Sequence, residues 1–327
     1  MNQKHPPLPL GRHGPQVFPI GLGAMGMSGM YGPSDEAESI RTLQAAIERG
    51  VTLIDTGDFY GMGHNELLIG KAIAGRRDRV QLSVKFGALR SPDCGWGGVD
   101  NRPVALRNFL AYSLKRLGVD YVDIYRPARL DPSVPIEDTI GAIADLVKAG
   151  YVRHIGLSEV GAETIRRAHL VHPIADLQIE YSLASRGPEQ KIFPTLRELG
   201  ISATLYGVLS RGLLSGSKPN GPTDFRAYLP RFADGQKPQN EGVVAGLARI
   251  AKAKNLTPAQ LAIGWVRRRT PEFLPVVGAR TVAQLNDALG ALEHPLDDAT
   301  MAEIEALGGV TGERYQAEQM RHLDSER

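Results

Sequence analysis

The chain has 327 residues, 42% hydrophobic and 23% charged, with a formal net charge of +2, an ordinary globular composition for one large domain or two smaller ones. The near-neutral balance offers no basic field for nucleic acid or an anionic membrane, and no apolar run approaches the roughly eighteen residues that a membrane span needs. A single cysteine, Cys94, excludes an internal disulfide framework and a Cys-rich metal site.

Residues Met1 to Pro19 lack the apolar core of a signal peptide, so a cytoplasmic protein is expected. Short apolar runs alternate with helix-period segments along the chain, the pattern of repeated βαβ units. Eight strands are expected: Val17–Gly21, Thr52–Asp55, Val80–Lys85, Tyr121–Tyr125, His154–Leu157, Leu177–Glu180, Ser202–Tyr206 and Leu274–Val277. No composition break separates them, so one domain over 1–327 is expected, with a core of about 15–310. Gly21-Leu22-Gly23-Ala24-Met25-Gly26 spells the glycine pattern of a Rossmann phosphate loop. That pattern should open a helix, yet the next helix start is at Ser34, and the acidic residue wanted about twenty positions on is absent. The Rossmann reading fails. Ser34, with Asp35 and Glu36, supplies a cap and an acidic first turn for a helix whose stripe is Ala37, Ile40, Leu43 and Ile47, ended by Gly50.

The second and third strands end on Asp55 and Lys85, and the turn between carries Tyr60. An unperturbed phenol has a pKa of about 10 and is a poor acid at neutral pH. A neighbouring ammonium favours the phenolate, so Lys85 would make Tyr60 a better proton donor while Asp55 holds Lys85 charged and aimed. The structural alternative is a buried Lys–Asp pair, with Tyr60 merely lining a loop. Cys94 and Trp96 lie in a Gly-rich stretch after the third strand, either lining a substrate pocket or serving only as loop residues. Arg126 shares a strand face with Ala128. If inward, a buried arginine must be paired; Glu180 on the sixth strand is the candidate, and the alternative is an Arg126 that faces the helix layer. His169 and His172, one helical turn apart with no third ligand, read as a solvated face, and no metal is expected. Gly150 and Gly200 end helices. Ser210 to Asn240 reads as a long Gly- and Pro-rich loop after the seventh strand, and Thr257-Pro258-Ala259-Gln260 as a capping box with proline at the first helical position.

The wording around the trio resembles a known family. Asp55-Thr56-Gly57-Asp58-Phe59-Tyr60-Gly61-Met62-Gly63-His64-Asn65-Glu66 is similar to the D-T-A-x-x-Y-G-x-G-x-N-E signature of aldo-keto reductases. Val84-Lys85-Phe86-Gly87 resembles their T-K-F-G, Ser113-Leu114-Lys115-Arg116-Leu117 their S-L-x-R-L, and Gly156-Leu157-Ser158-Glu159 their G-L-S-[EN]. These blocks keep family order over almost the whole chain. The resemblance implies a single-domain α/β fold, the (β/α)8 TIM barrel, plugged below by a hairpin at Pro6 to Gly14 and binding extended NADPH. Aligning Asp123 to Asp131 on the family's D-L-Y-x-x-H-R-x-D puts Ala128 where the tetrad histidine belongs, wording similar to a branch resembling pyridoxal reductases.

By that resemblance Tyr60 protonates a carbonyl oxygen, tuned by Lys85 and Asp55, and Ala128 and Trp96 border the substrate. Gly23, Ala24 and Met25 would pass beside the nicotinamide; Ser158 and Gln178 would bind its carboxamide, and Tyr206 would stack on its ring. Gly207, Leu209, Arg211 and Leu213 fall in a segment similar to the family's pyrophosphate loop. Gly278, Arg280, Gln284 and Asp287 fall in its adenosine segment, with Arg280 on the 2′-phosphate. The implied activity is NADPH-dependent reduction of small aldehydes or ketones, with pyridoxal-like substrates favoured. It would be slow on generic aldehydes unless another group replaces the imidazole. The alternative is a cofactor-binding regulator with little catalysis, resembling potassium-channel β-subunits; the retained Tyr60 and Lys85 favour an enzyme.

Overall fold

Eight parallel strands close into a barrel, each hydrogen-bonded to the next in sequence and the last to the first. This computed structural model describes residues 5–221 and 224–326, so the expected domain span of 1–327 begins and ends outside the described residues. The barrel strands are β1 (Gly21–Gly23), β2 (Leu53–Gly57), β3 (Gln81–Phe86), β4 (Val122–Pro127), β5 (Val152–Ser158), β6 (Ile174–Glu180), β7 (Ser202–Tyr206) and β8 (Leu274–Gly278). Around them run α1 (Glu36–Glu48), α2 (His64–Ile73), α3 (Pro103–Leu117), α4 (Ile136–Lys148), α5 (Ala162–Val171) and α6 (Ile192–Leu199). Helices α7 (Lys237–Ala253) and α8 (Pro258–Arg269) precede β8, and α9 (Val282–Gly290), α10 (Asp298–Glu305) and α11 (Ala317–Arg321) follow it. Helices on the outside and side chains within bury both faces of the sheet, which is why the strands read as near-continuous apolar runs; every residue of β2, β4 and β6 is buried. The capping box at Thr257 and Gln260 is formed. Among the described residues no helix is long and apolar enough to cross a membrane.

Three boundaries differ from expectation. Val17 does not open the first barrel strand: Gln16–Val17 pairs antiparallel with Leu8–Pro9, and barrel pairing begins at Gly21. Pro19 lies between and has no N–H for a ladder. The resulting hairpin closes the barrel floor, where Leu10 and Val17 pack on Leu53, Ile124, Leu274 and Val276. At α1, Asp35 is the cap, its carboxylate accepting from the Glu38 N–H at 2.6 Å, while the Ser34 hydroxyl donates to the Met27 carbonyl. Ala37 is exposed, and the buried face runs through Ser39, Thr42, Leu43, Ala46 and Ile47. After β7 the Gly- and Pro-rich stretch is a series of short 3-10 turns, and α7 starts at Lys237, inside the expected loop, because Pro238 is tolerated in a first helical turn.

Above the floor Arg126 and Asp176 meet inside the barrel, Nη1 to Oδ2 at 3.0 Å, both side chains fully buried. Arg126 also donates to Thr204 Oγ1 at 3.2 Å and Ser83 Oγ at 3.0 Å. Gly156 makes room for this pair: an added Cβ would lie 2.9 Å from Asp176 Oδ1 and 3.0 Å from Arg126 Cζ. Arg126 thus points inward but does not pair with Glu180. Both acids lie on the inward face of β6, and Glu180, nearer the mouth, holds Arg211 at 2.9 Å and Arg231 at 3.2 Å. Asp176→Asn strands a buried guanidinium and is expected to cost about 3–5 kcal/mol of unfolding stability. Urea unfolding checks this; a loss of surface-pair size, about 0–1 kcal/mol, contradicts it.

Candidate active site

The C-terminal ends of β2, β3 and β6 project three polar side chains into the barrel, the end where such folds place their chemistry. Register sets Asp55 beside Ser83 and Gly57 beside Lys85. Lys85 Nζ donates to Asp55 Oδ2 at 2.5 Å and to Gln178 Oε1 at 2.9 Å. Gln178 Nε2 and Ser83 Oγ donate to Asp55 Oδ1 at 2.7 and 2.8 Å. The buried carboxylate thereby has a donor at each oxygen and the ammonium has two acceptors, as their burial demands. Gln178, which the resemblance puts on a nicotinamide carboxamide, bonds Lys85 and Asp55 here.

Tyr60 is 7% exposed, and Lys85 Nζ stands 5.1 Å from its ring centre. The turn that carries it needs left-handed backbone at Gly61 and Met62, with φ of 55° and 53°. A Cβ at Gly61 would also meet Ser28 Cβ at 2.9 Å. Asn65 pins the turn from below: its Oδ1 accepts from Thr56 Oγ1 at 2.7 Å and its Nδ2 donates to the Ala24 carbonyl at 2.9 Å. Glu66 ties α2 to Arg116 on α3 at 2.5 Å. The Asn, Glu and Arg of the sequence blocks therefore position the turn.

Burial first, then Asp55, pushes the Tyr60 hydroxyl well above the ordinary phenol range, while Arg129 pulls it down. This is opposite to the expected lowering by Lys85, whose charge is answered by Asp55. Burial lowers the Lys85 pKa, against the upward pull of Asp55.

A second ring of charge forms the mouth. Tyr206 donates its hydroxyl to Glu159 Oε1 at 2.8 Å. Arg314 holds Glu159 at 2.5 Å and reaches Glu180 at 3.6 Å. Against the upward push of burial, this guanidinium keeps Glu159 below the ordinary carboxylate range. Tyr315 brings its hydroxyl to 3.4 Å from that of Tyr206, and Arg211 lies over its ring at 4.6 Å. No motif marks Arg314 and Tyr315; their only signal is an arginine–tyrosine pair in a polar tail. Ser158, buried, stands beside Gln178 in register.

Along one side of the mouth the backbone is bare. Gly23 and Gly278 are register partners, and a Cβ on Gly278 would meet nothing nearer than Gly23 O at 3.8 Å. Ala24 hydrogen-bonds the Asp55 carbonyl at 2.9 Å, and Met25 opens a single 3-10 turn with no α-helix until Glu36. Gly207, Ser210, Arg211 and Gly212 all have positive φ, curling Leu209 to Leu213 into a tight turn. Arg280 donates to the Tyr31 carbonyl at 3.1 Å, and its N–H is held by Gln284 Oε1 at 2.9 Å. Asp287 is occupied by the Thr257 hydroxyl at 2.8 Å.

Ala128 is 1% exposed, its N–H bonded to the Phe86 carbonyl at 2.8 Å. Trp96 lies on a hairpin, Ala88–Arg90 with Trp96–Val99, where a loop was expected, and is 55% exposed. Its ring is 6.0 Å from Phe59, which packs edge-on to Tyr60 at 4.8 Å. Trp96 therefore borders the rim through Phe59. His169 Nδ1 accepts the Ile174 N–H, and among the described residues no cluster of metal-ligating side chains occurs.

Residues 19–308 match the model of the Aldo/keto reductase family. The chain belongs to that family. It is 40% identical over 320 residues to probable aldo-keto reductase 1 of Glycine max, covering 94% of this chain and 91% of the relative. The glycerol dehydrogenase AKR11B4 from Gluconobacter oxydans superposes with a TM-score of 0.83 at 23% identity, over 99% and 98% of the two chains. The holo form of aldo-keto reductase AKR11C1 from Bacillus halodurans gives 0.77 at 25% identity, over 96% and 99%. Family membership makes the chain an oxidoreductase acting on carbonyl or alcohol groups with a nicotinamide cofactor.

Within the signature, burial and then Glu66 push the Asp58 carboxyl up to about 7, with Arg116 opposing. The native state then holds this proton more tightly than the unfolded chain, so stability falls as pH rises from about 4 to about 7. Asp58→Asn removes that loss. Its melting temperature relative to wild type is expected to rise across this interval, and a gap independent of pH contradicts the assignment.

Proposed function

We propose that the chain is an NADPH-dependent reductase of small aldehydes and ketones, with pyridoxal-like aldehydes the first candidates. The observation that carries this reading is the Lys85 ammonium, 2.5 Å from Asp55 and 5.1 Å from the Tyr60 ring. When bound, the reduced nicotinamide would supply hydride to the carbonyl carbon. Tyr60 donates its proton to the carbonyl oxygen, and the Lys85 charge, held by Asp55 and Gln178, stabilises the phenolate left behind. The burial that raises the Tyr60 pKa keeps its proton in place until an oxygen arrives that is more basic.

The residues around the mouth fit an extended dinucleotide. The bare strand ends at Gly23 and Gly278 support close passage of a flat group beside Ala24 and Met25. Tyr206 offers a partly exposed ring for stacking, with Ser158 beside it for the carboxamide. Gly207, Leu209, Arg211 and Leu213 supply curled backbone for the pyrophosphate. Among the described residues Arg280 forms no ion pair, only bonds to backbone carbonyls, which supports a role on the 2′-phosphate. Gln284 steadies Arg280, and Asp287 reaches the adenosine only by releasing Thr257.

The test is consumption of NADPH against an aldehyde panel that includes pyridoxal. Tyr60→Phe is expected to lower kcat by about 10² to 10⁴ while NADPH still quenches tryptophan fluorescence. Tight NADPH binding by wild type with no turnover on any aldehyde replaces the enzyme with a cofactor-binding regulator. Arg280→Met is expected to raise KM for NADPH and leave KM for NADH unchanged; equal effects on both remove the 2′-phosphate assignment.

A further inference from the structure

The end of β4 leaves a chemical vacancy and, one residue later, a charge to fill it. Ala128 brings only a methyl to the place where the resemblance puts an imidazole. The next residue, Arg129, is partly buried at the same mouth. Its Nη1 donates to the Ala128 carbonyl at 2.7 Å, and its Nη2 lies 3.5 Å from the Tyr315 hydroxyl.

What sets Arg129 apart beside the substrate position is that no carboxylate touches it; Glu159 acts on it only at a distance. Around it Lys85 has Asp55, Arg126 has Asp176, Arg211 and Arg231 share Glu180, and Arg314 has Glu159, whereas Arg280, farther out on the proposed adenosine side, bonds only backbone carbonyls. Among the described residues Arg129 is in no ion pair. A guanidinium taken out of water without a carboxylate is costly. Proteins retain such a group where negative charge arrives during function. Its neighbours are phenols, and its field acts downward on both Tyr60 and Tyr206.

We propose that Arg129 is a catalytic residue that does the missing imidazole's work, donating a hydrogen bond to the substrate's carbonyl oxygen beside Tyr60. This rests on the reductase reading above. In the balanced step, hydride from the reduced nicotinamide forms the C–H bond and the carbonyl π pair moves onto oxygen. That oxygen takes the Tyr60 proton, and the phenolate is reprotonated from water. Arg129 loses no proton, being far too weak an acid to do so; it holds the growing negative charge and orients the oxygen. Tyr315, at the other side of the guanidinium, limits where it can swing.

The test compares Arg129→Met and Arg129→Lys with wild type on two aldehydes, neutral 4-nitrobenzaldehyde and anionic 4-carboxybenzaldehyde, across pH. Arg129→Met is expected to lower kcat on both by about 10² to 10³, the usual cost of one oxyanion donor, with NADPH affinity unchanged. Its alkaline kcat limb should move to higher pH, because Tyr60 has lost a cation that lowered its pKa. Arg129→Lys, or methylguanidinium added to Arg129→Met, should restore part of the rate. If Arg129→Met fails to fold, the lysine variant decides through its kcat and alkaline limb. Unchanged kcat and limb overturn the proposal. So does a rise in KM for 4-carboxybenzaldehyde alone, which makes Arg129 a reader of substrate charge. Full activity of Tyr60→Phe removes the underlying reductase reading, whereas an inactive Tyr60→Phe with a fully active Arg129→Met removes only this proposal.

Discussion

A lysine ammonium cannot sit inside a barrel unless the barrel answers its charge, and the arrangement of this site follows from that requirement. Asp55 and Gln178 supply the answer from β2 and β6, while Ser83 and Gln178 fill the carboxylate oxygen that Lys85 leaves. Two unit charges at about 4 Å attract by about 4 kcal/mol at an effective dielectric of about 20, comparable with the desolvation they offset. Held this way, Lys85 cannot follow solvent. It faces the Tyr60 ring, which the Asn65 and Glu66 contacts keep in place.

The interior is a stack of distinct layers. An apolar floor sealed by the N-terminal hairpin comes first, then Arg126 with Asp176, then Lys85 with Asp55, and last the mouth with Glu159 and Glu180. Ser83 joins the two inner charged layers, accepting from Arg126 and donating to Asp55, and polarity rises toward the mouth. The tail residue Arg314 links both mouth carboxylates and brings Tyr315 onto Arg211 and Tyr206. Chain far from any motif thereby shapes the mouth.

Much of this was legible in the sequence, for physical reasons. Strand β7 is found at the expected Ser202–Tyr206 because Gly200 ends one element and Gly207 turns the next. Asp55, Tyr60 and Lys85 could be placed together because barrel strand ends converge wherever their helices lie. Partners across the barrel were harder. Arg126 does reach β6, but a two-residue period cannot choose between Asp176 and Glu180, which share a face. That Gln178 bridges Lys85 and Asp55 is not readable from its motif, which carries no information on which neighbour holds an amide. Arg314 and Tyr315 were illegible because their contacts span most of the chain, and Arg129 was written as one letter of a motif with no hint that it lacks a carboxylate.

The most direct test of the central claim is single-turnover hydride transfer in Lys85→Met, followed with NADPH and a saturating aldehyde alongside a thermal melt. A transfer rate lower by about 10² or more, the scale of lost acid–base assistance, is expected in a folded protein that still binds NADPH. A folded Lys85→Met enzyme that transfers hydride at the wild-type rate would contradict it.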